Sequence, residues 1–142
     1  MPMHYALPPI LVTALFAFPN QAALADDQTP NPQDVRFFEM RVRPLLADRC
    51  FKCHGPTKQK ADLRLDSAEA IKKGGDSGRP LISKTKPSES LLLQVVRHEA
   101  GVEAMPPTGE LSAVEIATLD AWVKRGAPFY TPTSTEQTSA DH

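Results

Sequence analysis

The stretch CFKCH, Cys50 to His54, sets two thiols three residues apart with an imidazole directly after the second. Four chemistries use such a pattern: a zinc knuckle, a redox dithiol, a structural disulfide and covalent haem attachment. A structural zinc site needs four ligands, and its thiolates usually come in two pairs. Beyond Cys50, Cys53 and His54, only His98 and the tail residue His142 remain as matching donors after the leader, so the set is poor for zinc. A thioredoxin-like dithiol opens a helix after a strand in a βαβ setting, and no such setting surrounds CFKCH. A disulfide between Cys50 and Cys53 leaves His54 without a role, and closing so small a loop gains little.

Covalent haem uses every residue of the motif. In a helical turn, residues three apart share a face, so two sulfurs can reach two substituents on one edge of the macrocycle. His54 then projects across the ring as the proximal ligand of the iron. A domain of about a hundred residues also buries only a modest core, and an apolar macrocycle adds to it. Phe37, Phe38, Leu46, Leu63, Leu65, Leu92, Val96, Leu119 and Trp122 are the expected wall residues.

The sixth iron position decides between electron transfer and chemistry on small ligands. Two methionines follow the leader, Met40 and Met105. Met40 lies on the helix leading into the attachment turn, whereas Met105 sits in GVEAMPPTGE, where Pro106 and Pro107 stiffen the backbone just before the last helix. A stiff loop holds a thioether with little entropy left to lose, so Met105 is the expected sixth ligand. His98 is the competing donor and is expected to be solvated at a helix C-terminus.

These donors must be positioned by short elements, because 14 prolines in 142 residues disfavour long helices and regular sheets. A helix is expected from about Asp34, with Val35, Phe38 and Val42 on one face and a break or kink at Pro44. Asp66 and Glu69 mark the start of a two-turn helix that Gly74 stops. Pro87 suits the first turn of SESLLLQVVRH, in which Leu91, Leu92, Val95 and Val96 repeat at helical spacing. The last helix carries the clearest marks: Ser112 and Glu115 as a capping box, Leu111 and Ile116 as a staple, and Ile116, Leu119 and Val123 as the buried stripe. Gly126 and Pro128 end it. No convincing strand pattern appears, so the expected fold is all-α, a small domain of short helices and long ordered loops around one haem.

The first 25 residues contain no Asp, Glu, Lys or Arg, and Tyr5 to Phe18 is almost wholly apolar. Ala23, Leu24 and Ala25 form a small-x-small pattern, so residues 1–25 read as a secretory signal peptide cut before Asp26, with an uncleaved interfacial anchor as the alternative. Residues 26–33 read as a linker, 34–130 as the domain and 131–142 as a disordered tail. The formal net charge of -1 hides an asymmetry. Arg36 to Lys86 holds 13 basic and 6 acidic residues, whereas Pro87 to His142 holds 3 and 8. Lys52, Lys58 and Lys60 flank the attachment motif, and such charge would steer an acidic redox protein. No nucleic-acid partner is expected, nor a stable membrane span once the signal is removed.

Taken together, FFEMRVRPLLADRCFKCHG, LRLDSAEAIKKGGDSG, KPSESLLLQVV, the MPP at Met105 to Pro107 and LSAVEIATLDAWVKRGAP resemble the planctomycete-type cytochrome c domain, a class I-like c-type cytochrome. The resemblance spans about Phe37 to Pro128. It implies one covalent haem c per chain, His54 and Met105 as axial ligands, and a periplasmic or secreted location. It also implies that a backbone carbonyl near Pro56 accepts the Nδ1–H of His54. Ala61 and Asp62 stand where similar sequences place glycines. The expected function is that of an exported monohaem one-electron carrier, not an enzyme. A peroxidase-like haem enzyme with an open iron position and a non-haem interaction module with a Cys50–Cys53 disulfide are the alternatives.

Overall fold

Residues 1–4 and 31–131 are described by the computed structural model. The expected signal peptide beyond residue 4, most of the linker and the tail beyond Thr131 lie outside the described residues. Four helical segments and the loops between them make up the fold, and among the described residues no strand forms. The first segment is a continuous rod in three parts: α1 (Pro32–Phe37), a π-helical stretch (Phe38–Val42) and α2 (Arg43–Arg49). It begins two residues earlier than expected, because Asn31 caps it through a hydrogen bond from Gln33 N–H at 2.9 Å and Pro32 fits the first turn.

Pro44 does not break the rod. In the wider turn ahead of it, Arg43 N–H reaches back five residues to the Phe38 carbonyl. The extra residue in that turn takes up the mismatch that the missing proline N–H and the bulk of its ring would otherwise create. Phe38 and Val42 stay fully buried on the inner face, and α2 continues to the attachment turn.

The remaining segments are α3 (Ala68–Lys73), α4 (Leu91–Val96) and α5 (Ala113–Lys124). The cap of α3 is Ser67 and not Asp66: Ser67 Oγ accepts from Ala70 N–H at 3.2 Å. Asp66 is engaged by Arg64 in a two-pronged pair at 2.9 and 2.6 Å, which holds its carboxyl below the usual range. Pro87 opens a separate 3₁₀ turn, Pro87–Glu89, because buried Ser90 interrupts the helix to accept Ser83 N–H on its hydroxyl at 2.9 Å. The capping box of α5 forms as expected, with Ser112 N–H to Glu115 Oε2 at 2.7 Å and Glu115 N–H to Ser112 Oγ at 3.2 Å. Leu111 is buried ahead of it.

α5 packs against the π-helical stretch and α4. Leu119, Trp122 and Val123 face Phe38, Val42 and Leu46 in the core. Asp120 bridges the last two helices, bonding Arg97 at 2.6 Å and Lys124 at 2.5 Å, and these cations hold its carboxyl below the usual range. The C-terminal strip closes the core. Phe129 and Tyr130 pack against Phe38, tilted and edge-on, with centroids 4.7 and 5.8 Å away, and Trp122 Nε1–H donates to the Pro128 carbonyl at 2.8 Å. Arg43 lies over the Phe38 and Phe129 rings and donates to the Tyr130 carbonyl.

Between the attachment turn and α3, a 3₁₀ turn (Lys60–Asp62) places Ala61 at φ 56° and Asp62 at φ 53°. These are the two positions where a glycine is expected, and the left-handed backbone supplies the reason. The strain is kept because the loop is tied on both sides: Asp76 N–H donates to the Ala61 carbonyl at 2.9 Å, and Lys73 pairs with Asp62 at 2.8 Å. Ala61→Gly is expected to stabilise the protein by about 0.5–1 kcal/mol, the left-handed penalty of alanine less the added chain entropy of glycine. Asp62→Gly should gain less, since it also removes the pair with Lys73. Chemical denaturation of both variants measures this, and a loss of stability in Ala61→Gly would refute the strain.

Candidate functional site

α2 ends at Arg49, and the chain turns directly into the motif. The Cys50 carbonyl accepts from Cys53 N–H at 3.1 Å and from His54 N–H at 2.9 Å, so the five residues form one tight turn. A Cβ at Gly55 would lie 2.3 Å from the Phe51 carbonyl oxygen, so only glycine lets the turn close there. The segment then folds back on itself. Gly55 N–H donates to the Lys58 carbonyl at 2.9 Å, Lys60 N–H to the Cys53 carbonyl at 3.0 Å, and Leu65 N–H to the His54 carbonyl at 2.9 Å.

This doubling-back fixes the imidazole. His54 is 8 % exposed, and its Nδ1 stands 3.1 Å from the Lys60 carbonyl. A carbonyl only accepts, so Nδ1 carries the proton and Nε2 keeps its lone pair. The expected carbonyl close to Pro56 is thus supplied by Lys60, four residues further on, because the hairpin-like return brings Lys60 back under the ring.

His54 and Met105 line one cavity of about 290 Å³, together with Ala61, Leu63, Gly75, Leu81, Leu91, Val95 and Val102. Met105 is anchored there by its N–H, which donates to the Val95 carbonyl at 2.9 Å. A Cβ on Gly75 would lie 2.7 Å from the Ala61 carbonyl oxygen, so glycine is needed for the two wall segments to approach this closely. A larger groove of about 460 Å³ lies between α3 and the C-terminal strip, sharing Leu81 as a wall, but it holds neither donor.

Of the nine expected wall residues, only Leu63 lines the cavity. Phe38, Leu46, Leu65, Leu92, Val96, Leu119 and Trp122 belong to the packed core, and Phe37 packs at its edge under the Arg125 guanidinium. On α4 the two readings separate by face. Leu92 and Val96 turn to the core, while Leu91 and Val95 turn to the cavity. The hydrophobic pattern marks all four residues but not which pair faces which side.

Cys50 and Cys53 sit half-buried in the turn before His54, outside the cavity lining, with both thiols free. Burial pushes the Cys50 thiol up to about 11, so it is held as the neutral S–H. A redox dithiol needs the opposite shift. Met40 is 61 % exposed on the outer face of the rod, away from His54. His98 is half-buried, not solvated, and it is absent from the cavity lining.

The residues present fit a covalently attached haem. They offer two thiols in one turn, an imidazole held through Nδ1, a thioether lining the same cavity as the imidazole, and a largely aliphatic wall that also carries Asp76, Ser77, Arg79 and Glu103. No helix among the described residues is long and apolar enough to cross a membrane.

No curated protein and no solved structure matches the chain at a significant level. Residues 50–109 do match a family model, that of planctomycete cytochrome C, a family that implies covalent haem c. The matched span opens on Cys50, contains the turn, α3, α4 and Met105, and stops before α5. The segment from Cys50 to Gly109 is therefore similar to planctomycete cytochrome C domains.

Proposed function

We propose that the protein is an exported one-electron carrier, with one haem c held through Cys50 and Cys53 and ligated by His54 and Met105. The observation that carries this reading is the shared cavity of His54 and Met105, two donors 51 positions apart in the chain that line one largely aliphatic space. Attachment consumes no oxidant: each S–H adds across one vinyl C=C, the sulfur bonding one carbon and the hydrogen the other. When bound, the haem supplies the reversible one-electron couple, and His/Met ligation raises its potential.

The chain's own residues do the rest. Lys60 orients His54 through its carbonyl and makes the imidazole a better donor. Val95 holds the Met105 backbone, and Leu63, Leu81, Leu91 and Val95 give the cavity an aliphatic wall. A site with both positions filled by protein rearranges little between oxidation states, which suits transfer better than catalysis on a small ligand. Export is part of the same reading, since in bacteria the attachment chemistry takes place outside the cytoplasmic membrane.

Met105→Ala is expected to remove the near-infrared sulfur-to-iron band and lower the reduction potential, while Met40→Ala leaves both unchanged. A Met105→Ala protein that keeps the band would place the sixth ligand elsewhere.

Exposed Lys52, Lys58 and Lys60 beside the attachment turn support docking of an acidic redox protein. Reduction by an acidic donor protein should slow as ionic strength rises and the Debye length shrinks to about 8–10 Å. The same rates after Lys52→Glu with Lys58→Glu would contradict docking at this face.

A further inference from the structure

The loop carrying Met105 leaves α4 through a left-handed residue. Arg97 N–H donates to the Leu93 carbonyl at 3.1 Å and Glu99 N–H reaches back to the Gln94 carbonyl at 3.0 Å, with His98 between them at φ 54°. Glycine or asparagine usually fills this position after a helix. Histidine is among the non-glycine residues enriched at such a position, and here its side chain also makes contact beyond the turn.

Nδ1 of His98 stands 3.4 Å from Oε1 of Glu110, and its buried Nε2 has no hydrogen-bond partner among the described residues. Glu110 closes the far end of the same loop, one residue before buried Leu111. Its backbone carbonyl accepts from Arg49 Nη2 at 3.2 Å, and Arg49 directly precedes Cys50. Both ends of the loop therefore meet, and the junction is tied to the attachment turn. Within the loop, Met105 N–H and His98 N–H share one acceptor, the Val95 carbonyl, at 2.9 and 3.3 Å.

We propose that His98 and Glu110, joined to the attachment turn by Arg49, are positioning residues that hold the Met105 loop closed and set how often the sixth iron position opens. The proposal rests on the reading of Met105 as an iron ligand. A loop held only by backbone bonds to α4 could swing about that hinge. The side-chain contact across its two ends removes that freedom. Because Glu110 is largely exposed, its coupling should be modest, about two- to fivefold in the opening equilibrium.

Titrating the ferric holoprotein with imidazole tests this, because an outside ligand binds only the open form and its apparent affinity scales with the open fraction. His98→Asn keeps a residue that tolerates the left-handed backbone, and Glu110→Gln keeps the size of the side chain. Each is expected to raise imidazole affinity about two- to fivefold, with the near-infrared band intact before imidazole is added. The double variant should match the single ones, since both remove one shared contact.

Unchanged affinity in both variants overturns the clamp, as do effects that multiply in the double variant. A fall in melting temperature without a change in affinity assigns the pair to stability alone and also overturns it. If the wild type lacks the near-infrared band, the ligand reading falls and takes the clamp with it. If the band is present and the titrations coincide, only the clamp falls.

Discussion

The hydrogen bond from His54 Nδ1–H to the Lys60 carbonyl is the contact on which the site depends. It determines which ring nitrogen is free to bind and holds the ring at one angle. It exists only because the chain reverses within six residues of His54, and that reversal is costly. Gly55 must lack a side chain where it passes Phe51, Ala61 and Asp62 must take left-handed backbone, and Gly75 must let its strand of loop close on the Ala61 carbonyl. Each of these constraints serves the position of one imidazole.

The rest of the fold makes the reversal rigid. The rod of α1, the π-helical stretch and α2 delivers Cys50 at a set distance from the core, and α5 with the Phe129–Tyr130 strip locks the rod through Phe38. The opposite wall comes from α4, whose two apolar faces are used separately: Leu92 and Val96 pack inward while Leu91 and Val95 face the cavity. Met105 reaches that cavity on a loop bonded to α4 itself. The two donors are thus carried by different parts of the fold joined through one core.

Much of this is legible in the sequence. The capping box of α5, its buried stripe and its stop at Gly126 follow from local rules and appear as expected. The motif and Met105 were singled out by residue type and spacing, and the matched family agrees with the reading of the motif. What failed depended on tertiary context. Pro44 reads as a break or kink, and the break is avoided because a π-turn that propensity cannot foresee accommodates it. Asp66 reads as a cap because its capture by Arg64 leaves no mark in a capping pattern. Apart from Leu63, the expected wall residues belong to the core or its edge; the wall itself is made by Leu91 and Val95 of α4 and by loop residues that only the folded chain brings together.

Tandem mass spectrometry of the denatured, protease-digested exported protein tests the central claim most directly. The account expects the peptide containing Cys50 and Cys53 to carry the mass of one haem, retained in denaturant, with neither thiol open to alkylation. A peptide of unmodified mass with two alkylatable thiols, or one lighter by two hydrogens from a Cys50–Cys53 disulfide, would contradict it.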